Sequence, residues 1–310
     1  MNRAGLWVFL LIAFGGSWLL ALPLWVGADG LASPWMALIG VLIMFTPTAA
    51  LVAVWSTRRK EGVWARELAR QTGLGLGARK GRTLAVTVAL WIGVPLFAIV
   101  ATALSAALGL MDLDLENFSL LRESTEESGV EVPMPLQVLV AVQLVAILPG
   151  ALFNSLFAFG EEWAWRGWLL PRLMGRGTLF AVVVSGVIWG LWHAPLTLLG
   201  YNYAALGPWA ALMFVPFCVL FGAVLGWARL STASVWPAVV GHGALNASAG
   251  IPMLVADAAA APNLALAGPL GVVGMVLLAV VALVLFGLFA PRGQQSVVEP
   301  EPDRAVGSGA

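Results

Sequence analysis

Charge is scarce in this sequence: of 310 residues, 10% are Asp, Glu, Lys or Arg, while 60% are hydrophobic. A soluble domain carries about 25% charged residues, so this chain cannot coat a water-facing surface, and lipid must be the solvent for most of it. Histidine occurs twice and cysteine once. A lone Cys218 excludes a disulfide within the chain; set in an apolar stretch, it reads as a small core residue rather than a nucleophile. No Walker loop, dinucleotide glycine motif or H-E-x-x-H zinc signature is present, no Ser stands in a nucleophile motif, and nothing points to nucleic acid. The apolar run after Met1–Arg3 lacks a small-residue cleavage site, so it reads as a first spanning helix.

What is abundant is long apolar runs. A bilayer core of about 30 Å needs roughly 20 apolar residues as helix. About eight such segments are present, near 5–27, 34–56, 83–110, 135–171, 178–200, 207–228, 234–255 and 264–290. Only helices satisfy every backbone group in lipid without closing a barrel, so the fold expected is all-α, a polytopic membrane bundle. The fourth segment is too long for one perpendicular span, and a kink at Pro149–Gly150 or a last stretch along the interface would absorb the excess. The organisation expected is three N-terminal helices over 1–134, a core of four helices over 135–255, a last helix over 256–290, and a Pro-, Glu- and Ser-containing disordered tail at 291–310. The Gly186/Gly190 and Gly222/Gly226 pairs have the spacing that lets helices approach closely.

Basic residues set the direction. With both termini inside, fourteen of the sixteen Lys and Arg fall in inner segments, Arg122 lies outside, and Arg166 lies within a span. The outer loop 111–134 is acidic instead. This places the protein in a bilayer as a multi-pass chain, in the plasma membrane if the host is bacterial. The inner loop 57–82, with Trp64, Arg66, Leu68 and Arg70 at helical spacing, reads either as an amphipathic helix at the headgroups or as a solvated connector.

Ionisable residues inside spans are costly and usually mark function. Here they are Glu161, Glu162, Arg166, His193 and His242, with Asn246 one turn after His242. In E-E-x-x-x-R, Glu162 and Arg166 are i,i+4 neighbours and can pair. Glu161 is rotated by about 100° and is left to work. Trp189 stands one turn before His193, where its ring can hold the imidazole. Glu161 and His193 are equidistant from residue 177 in the turn between two antiparallel helices, so they meet at one level, on the order of 24 Å from that turn; His242 lies roughly 12 Å from the inner end of its helix. A cavity opening to the inner side would reconcile the two depths. Polar glue between helices is the bland alternative, but it leaves the shared height of Glu161 and both histidines unexplained.

A carboxylate and a histidine can hold and deprotonate water, while a second histidine and an amide can stabilise the oxyanion formed when water attacks a peptide. Alternatively Glu161, His193 and His242 are ordinary ligands for zinc, which would activate the water. These residues do not choose between the two.

E-E-x-x-x-R at Glu161–Arg166, aromatic-x-x-x-H at Trp189–His193 and H-x-x-x-N at His242–Asn246 resemble the CPBP family, the CAAX proteases and bacteriocin-processing (Abi) proteins that include the Ras-converting CAAX endopeptidase. The resemblance covers roughly 135–255. One departure is Trp189, where the family more often has Phe. The resemblance implies an intramembrane endopeptidase: Glu161 and His193 activating water, His242 and Asn246 stabilising the oxyanion, Glu162, Arg166 and Trp189 supporting them. The family is often labelled metalloprotease; glutamate-activated water with no cofactor is the favoured reading, zinc the other. The substrate expected is a short or lipidated peptide or protein at the membrane. Competing readings are a non-catalytic immunity or scaffold protein, which has no need of all four site residues, and a proton-coupled transporter, for which the repeated halves are missing.

Overall fold

A computed structural model describes residues 3–56, 64–129 and 131–291. It is a helical bundle, and among the described residues the only β pairing is an isolated bridge between Leu113 and Ala256. The helices are α1 (Arg3–Val26), α2 (Met36–Met44), α3 (Thr46–Ser56), α4 (Trp64–Thr72), α5 (Lys80–Ala107), α6 (Ser119–Glu127), α7 (Leu136–Glu162), α8 (Leu170–Leu173), α9 (Thr178–Trp192), α10 (Ala194–Thr197), α11 (Ala210–Thr232), α12 (Trp236–Ser248), α13 (Ile251–Val255) and α14 (Val272–Leu288).

Six helical runs among the described residues are long and apolar enough to cross a membrane: Ala4–Val26, Met36–Ser56, Lys80–Ala107, Leu136–Arg176, Ala204–Thr232 and Trp236–Val255. Two shorter apolar helices, Thr178–Trp192 and Val272–Leu288, make up the rest of the segments read from sequence. The chain is an integral, multi-pass membrane protein. α9 is shorter than its apolar run because Pro195 has no N–H to return to the carbonyl of Leu191. The helix therefore stops at Trp192, with His193 at its end. The residues before α14 are held out of helix by Pro262 and Pro269 and fold as turns.

The long fourth segment is absorbed differently from the expected proline kink. Pro149 lies inside an uninterrupted α7. The departure from α geometry comes later, as π-helical turns over Trp163–Leu169. α8 follows, and Gly177, at φ 96°, makes the turn into α9.

α12 packs along α7 and α5, α11 along α9, and α1 along α3. The α9–α11 contact is close: a Cβ at Gly186 or Gly190 would stand 2.6 Å from Val219 Cα or 2.8 Å from Val215 Cα. Glycine is thus required there by backbone approach, as the spacing suggested. Part of the inner loop is helical. Leu68 on α4 is buried and Arg70 is exposed, but the helix docks on protein: Trp163 Nε1 donates to Thr72 Oγ1 at 2.8 Å and Arg172 Nη2 to Gln71 Oε1 at 3.2 Å. The side chain of Trp64 and the tail from 292 lie outside the described residues.

Candidate functional site

The last turn of α7 delivers two adjacent carboxylates to two different surroundings. Glu162 is fully buried and its Oε1 accepts from Arg166 Nη1 at 2.6 Å. The same oxygen accepts from His242 Nδ1 at 2.9 Å, a partner the motifs did not suggest. Arg166 is placed by the π-helical turns that begin directly after α7, a geometry that recurs at functional sites. Its guanidinium lies 4.0 Å from the centre of the Trp189 ring, a favourable cation–π position. Gly222 makes the space, since a Cβ there would stand 2.9 Å from Arg166 Nη2.

Glu161 turns away from this pair. Its Oε2 accepts from Trp189 Nε1 at 2.7 Å. α7 reaches the position because Gly160 lets it touch the α2–α3 junction: a Cβ there would meet the carbonyl oxygen of Met44 at 2.7 Å. Thr48 Oγ1 fixes the same point by donating to Gly160 O at 2.7 Å.

His193, at the end of α9, sits in an aromatic collar. Ring centroids of Trp192, Phe214 and Trp189 lie 4.7, 4.8 and 5.7 Å from its own. Its Nδ1 is 2.8 Å from the carbonyl of Trp189. A carbonyl only accepts, so Nδ1 carries the proton and Nε2 presents a lone pair in the neutral ring. The same logic applies to His242, whose Nδ1 faces a carboxylate. Trp189 is therefore the hub: its indole N–H holds Glu161, its carbonyl orients His193, and its ring face carries Arg166 and packs edge-on to His242 at 5.4 Å.

Glu161, Trp189, His193, His242 and Asn246 line one cavity of about 670 Å³. The structure thus brings together every residue picked from sequence, with Glu162 and Arg166 directly behind. It adds Asn154, Tyr201 and Asn202 to the walls. Asn154 was legible as an amide two turns before Glu161 on the same helix face; Tyr201 and Asn202 follow α10 and carried no signal. Apart from Ser33, the remaining walls are apolar, including Ile43, Phe157, Phe214 and Leu245.

The cavity walls do not include the described residues of the loops toward which an opening was expected. Among the described residues, no cavity wall comes from 64–79, 170–177 or 226–236; the wall residues outside helices are Ser33, Pro34, His193, Tyr201, Asn202, Ala249 and Leu270. The two depths are reconciled otherwise. Val235 N–H donates to Gly73 O at 2.9 Å and Trp236 Nε1 to Leu74 O at 2.7 Å, so α12 starts beneath the 64–79 segment. Since Glu162 and His242 touch, the turn at 174–177 must project about 12 Å further, eight residues at 1.5 Å each.

Comparison with known proteins bears on the same helices. Residues 137–248 match the family model described as Type II CAAX prenyl endopeptidase Rce1-like. A curated relative, CAAX prenyl protease 2 of Methanococcus maripaludis, is 32% identical over 92 residues, which are 28% of this chain and 34% of that protein. The helices that carry the site are thus similar to the Rce1-like CAAX proteases. The match runs from the start of α7 to the end of α12 and contains Glu161, Glu162, Arg166, Trp189, His193, His242 and Asn246. It leaves α1–α6, α13 and α14 unmatched, and the chain aligns with about a third of the length of that relative.

The zinc alternative can be tested against the donors. Among the described residues, no three His, Cys, Asp or Glu side chains form a group able to hold one metal ion. Glu161, His193 and His242 share the cavity wall, each with one atom already engaged by Trp189 or Glu162. As placed they do not make a three-ligand site, and no step below runs through a metal.

Proposed function

We propose that the chain is an intramembrane endopeptidase in which Glu161, helped by His193, activates water. The observation that carries this is the common cavity: a buried carboxylate, two imidazoles of fixed tautomer and an amide face one hollow of peptide-sized volume within a membrane bundle. Glu161 takes a proton from water as the hydroxide forms a bond to the scissile carbonyl carbon. His193 Nε2 accepts the water's second hydrogen bond and orients it. The oxyanion is met by the Asn246 amide N–H and by His242, whose Nε2 donates once the ring is protonated; Glu162 is the counter-ion for that state. Collapse breaks the C–N bond, and the proton on Glu161 passes to the leaving nitrogen. The products are a carboxylate and an amine.

The apolar walls support a short or lipidated peptide as substrate, and so does the name of the Methanococcus maripaludis relative, a prenyl protease. A scaffold role would not need the cavity. The test is cleavage of a peptide library by purified protein, read by mass spectrometry, beside Glu161→Ala and His193→Ala. Loss of all products in both variants, with unfolding profiles unchanged, is the expected result; turnover in either variant refutes the assignment. Enzyme stripped with a chelator should keep its rate, whereas activity that disappears and returns with zinc would reinstate the metal reading.

A further inference from the structure

We infer that the loop after α10 holds the main chain of the substrate, with the Asn202 amide and the Tyr201 hydroxyl as the groups that bond it. This deepens the peptidase reading and rests on it. A peptide drawn into an apolar hollow within a bilayer leaves water behind, and each of its N–H and C=O groups is costly there until it finds a partner. Glu161, His193, His242 and Asn246 are taken up by the reacting carbonyl and its water, so the flanking peptide groups need other partners. Among the described residues no Lys or Arg lines the hollow, and neutral side chains must supply them. Most of those are already engaged. Asn154 Nδ2 donates to Gly150 O at 2.9 Å, Ser33 Oγ accepts the Trp35 N–H at 3.3 Å, and Trp192 Nε1 donates to Ala13 O at 3.1 Å. The side chains of Tyr201 and Asn202 have no hydrogen-bond partner among the described residues. An amide both donates and accepts. Asn202 can therefore exchange two bonds with the N–H and C=O of one extended residue, as paired strands do.

The loop is built to hold these groups still, and it is tied to His193. The His193 carbonyl accepts the N–H groups of Leu196 and Thr197, each at 3.0 Å, and the Leu196 carbonyl accepts the Tyr201 N–H at 3.2 Å. Tyr203 is buried behind them, and its Oη donates to Leu270 O at 2.7 Å. Gly200 turns the chain at φ 93°, and Asn202 stands at φ 70°. That left-handed region is uncommon for residues other than Gly, with Asn among the few that enter it readily. Glycine would meet the demand of the backbone alone; asparagine adds an amide that lines the hollow. Bonds to main chain give affinity without reading side chains, so the substrate class is an extended, unfolded stretch of polypeptide accepted across varied sequences.

The experiment uses purified full-length protein beside Asn202→Gly, which suits the left-handed turn, and Tyr201→Phe, which loses only the hydroxyl. The probe is the fluorescent library peptide that the wild type retains most tightly. It is also made as a series in which one amide N–H at a time, away from the cleaved bond, is replaced by an ester oxygen. Each variant should unfold as the wild type does and raise KM about five-fold with kcat nearly held, the mark of a contact equally strong in ground and transition states. At one position the ester should weaken the wild type by a similar factor and leave Asn202→Gly no weaker than before. Equal KM in all three proteins overturns the inference and spares the peptidase reading. A raised KM in Asn202→Gly, with every ester as harmful to it as to the wild type, also overturns the inference, since Asn202 would then act only through the shape of the loop. Retention of the peptide that depends on Asn202, with no cleavage by the wild type, upholds the main-chain contact and overturns the peptidase reading. A wild type that retains and cleaves nothing overturns both.

Discussion

The two halves of the α7–α12 core are built from similar residues to opposite ends. On the side of α4, Trp165, Trp168, Arg166 and Glu162 fill the space between helices so that each charge meets a partner. On the side of the α1–α2 turn, the same helices stand apart around a hollow faced by Glu161, His193, His242 and Asn246. The boundary falls between Glu161 and Glu162. One residue of helical rotation separates a carboxylate with one neutral donor on Oε2 from a carboxylate that holds a cation and an imidazole. Chemistry and cohesion are thus assigned to neighbours, and substitution should pull them apart.

The widest separation is expected at Glu161. Removing a general base commonly costs 10²–10⁴-fold, so Glu161→Ala should bring cleavage to background. Because its one hydrogen-bond partner among the described residues is the Trp189 indole N–H, thermal unfolding in detergent should move little. A stable variant with wild-type turnover would erase the distinction between the two carboxylates. Next comes Glu162→Ala, which leaves Arg166 buried without its counter-ion. Breaking a buried pair in this way costs about 3–5 kcal/mol, enough to lower the unfolding midpoint sharply and the yield of folded protein with it. Arg166→Ala should act in the same direction. If either variant kept wild-type stability and lost only activity, the closed half would have to be counted as part of the reacting site.

Much of this division was legible beforehand, for reasons that concern particular residues. Helical rotation alone separated Glu161 from Glu162 and paired the latter with Arg166. Equal spacing from residue 177 put Glu161 and His193 on one level, and both line the hollow. What escaped was long-range. The bond between His242 and Glu162 joins residues 80 apart, and periodicity within α12 carries no trace of it. The relative depth of His242 escaped because depth was counted from helix ends, and the end of α12 is itself covered by residues 73 and 74. The π-helical turns after α7 follow from tertiary packing of Arg166 and Trp165, for which no local pattern exists.

Trp189 offers a finer cut across the boundary. Phe would keep a ring beneath Arg166 and the backbone carbonyl that orients His193, yet it has no N–H for Glu161. A hydrogen bond to a charged group contributes about 1.5–3 kcal/mol, and the ring itself remains. Trp189→Phe should therefore fold normally and lose roughly ten-fold in kcat, with KM nearly unchanged. Its pH–rate profile should shift as well, because the bond removed is to the base. An unshifted profile with unchanged kcat would reduce Trp189 to packing.

The smallest effect is expected on the rim around Asp114, where local hydrogen bonds replace packing. Asp114 accepts the N–H groups of Asn117 at 2.8 Å, Ser119 at 3.2 Å and Glu116 at 3.3 Å. Chiefly through the Asn117 N–H, these hold its carboxyl below the usual carboxylate range. A lowered value means the ionised form is favoured by the folded loop. That contribution is complete above the ordinary Asp value, about 3.9, and is lost as pH falls through the lowered one. Hydrogen exchange at residues 116–119 should therefore quicken on acidification in a reversible way, after correction for the intrinsic pH dependence of exchange. Asp114→Asn should show the quicker exchange at neutral pH and no further change with acid. The amides of Trp165 and Arg166 should not respond in either case, since the closed half is held by buried contacts and not by this loop. Acid-induced exchange at Trp165 as fast as at Asn117 would mean that the rim and the closed half open as one unit, and the contrast between them would fail.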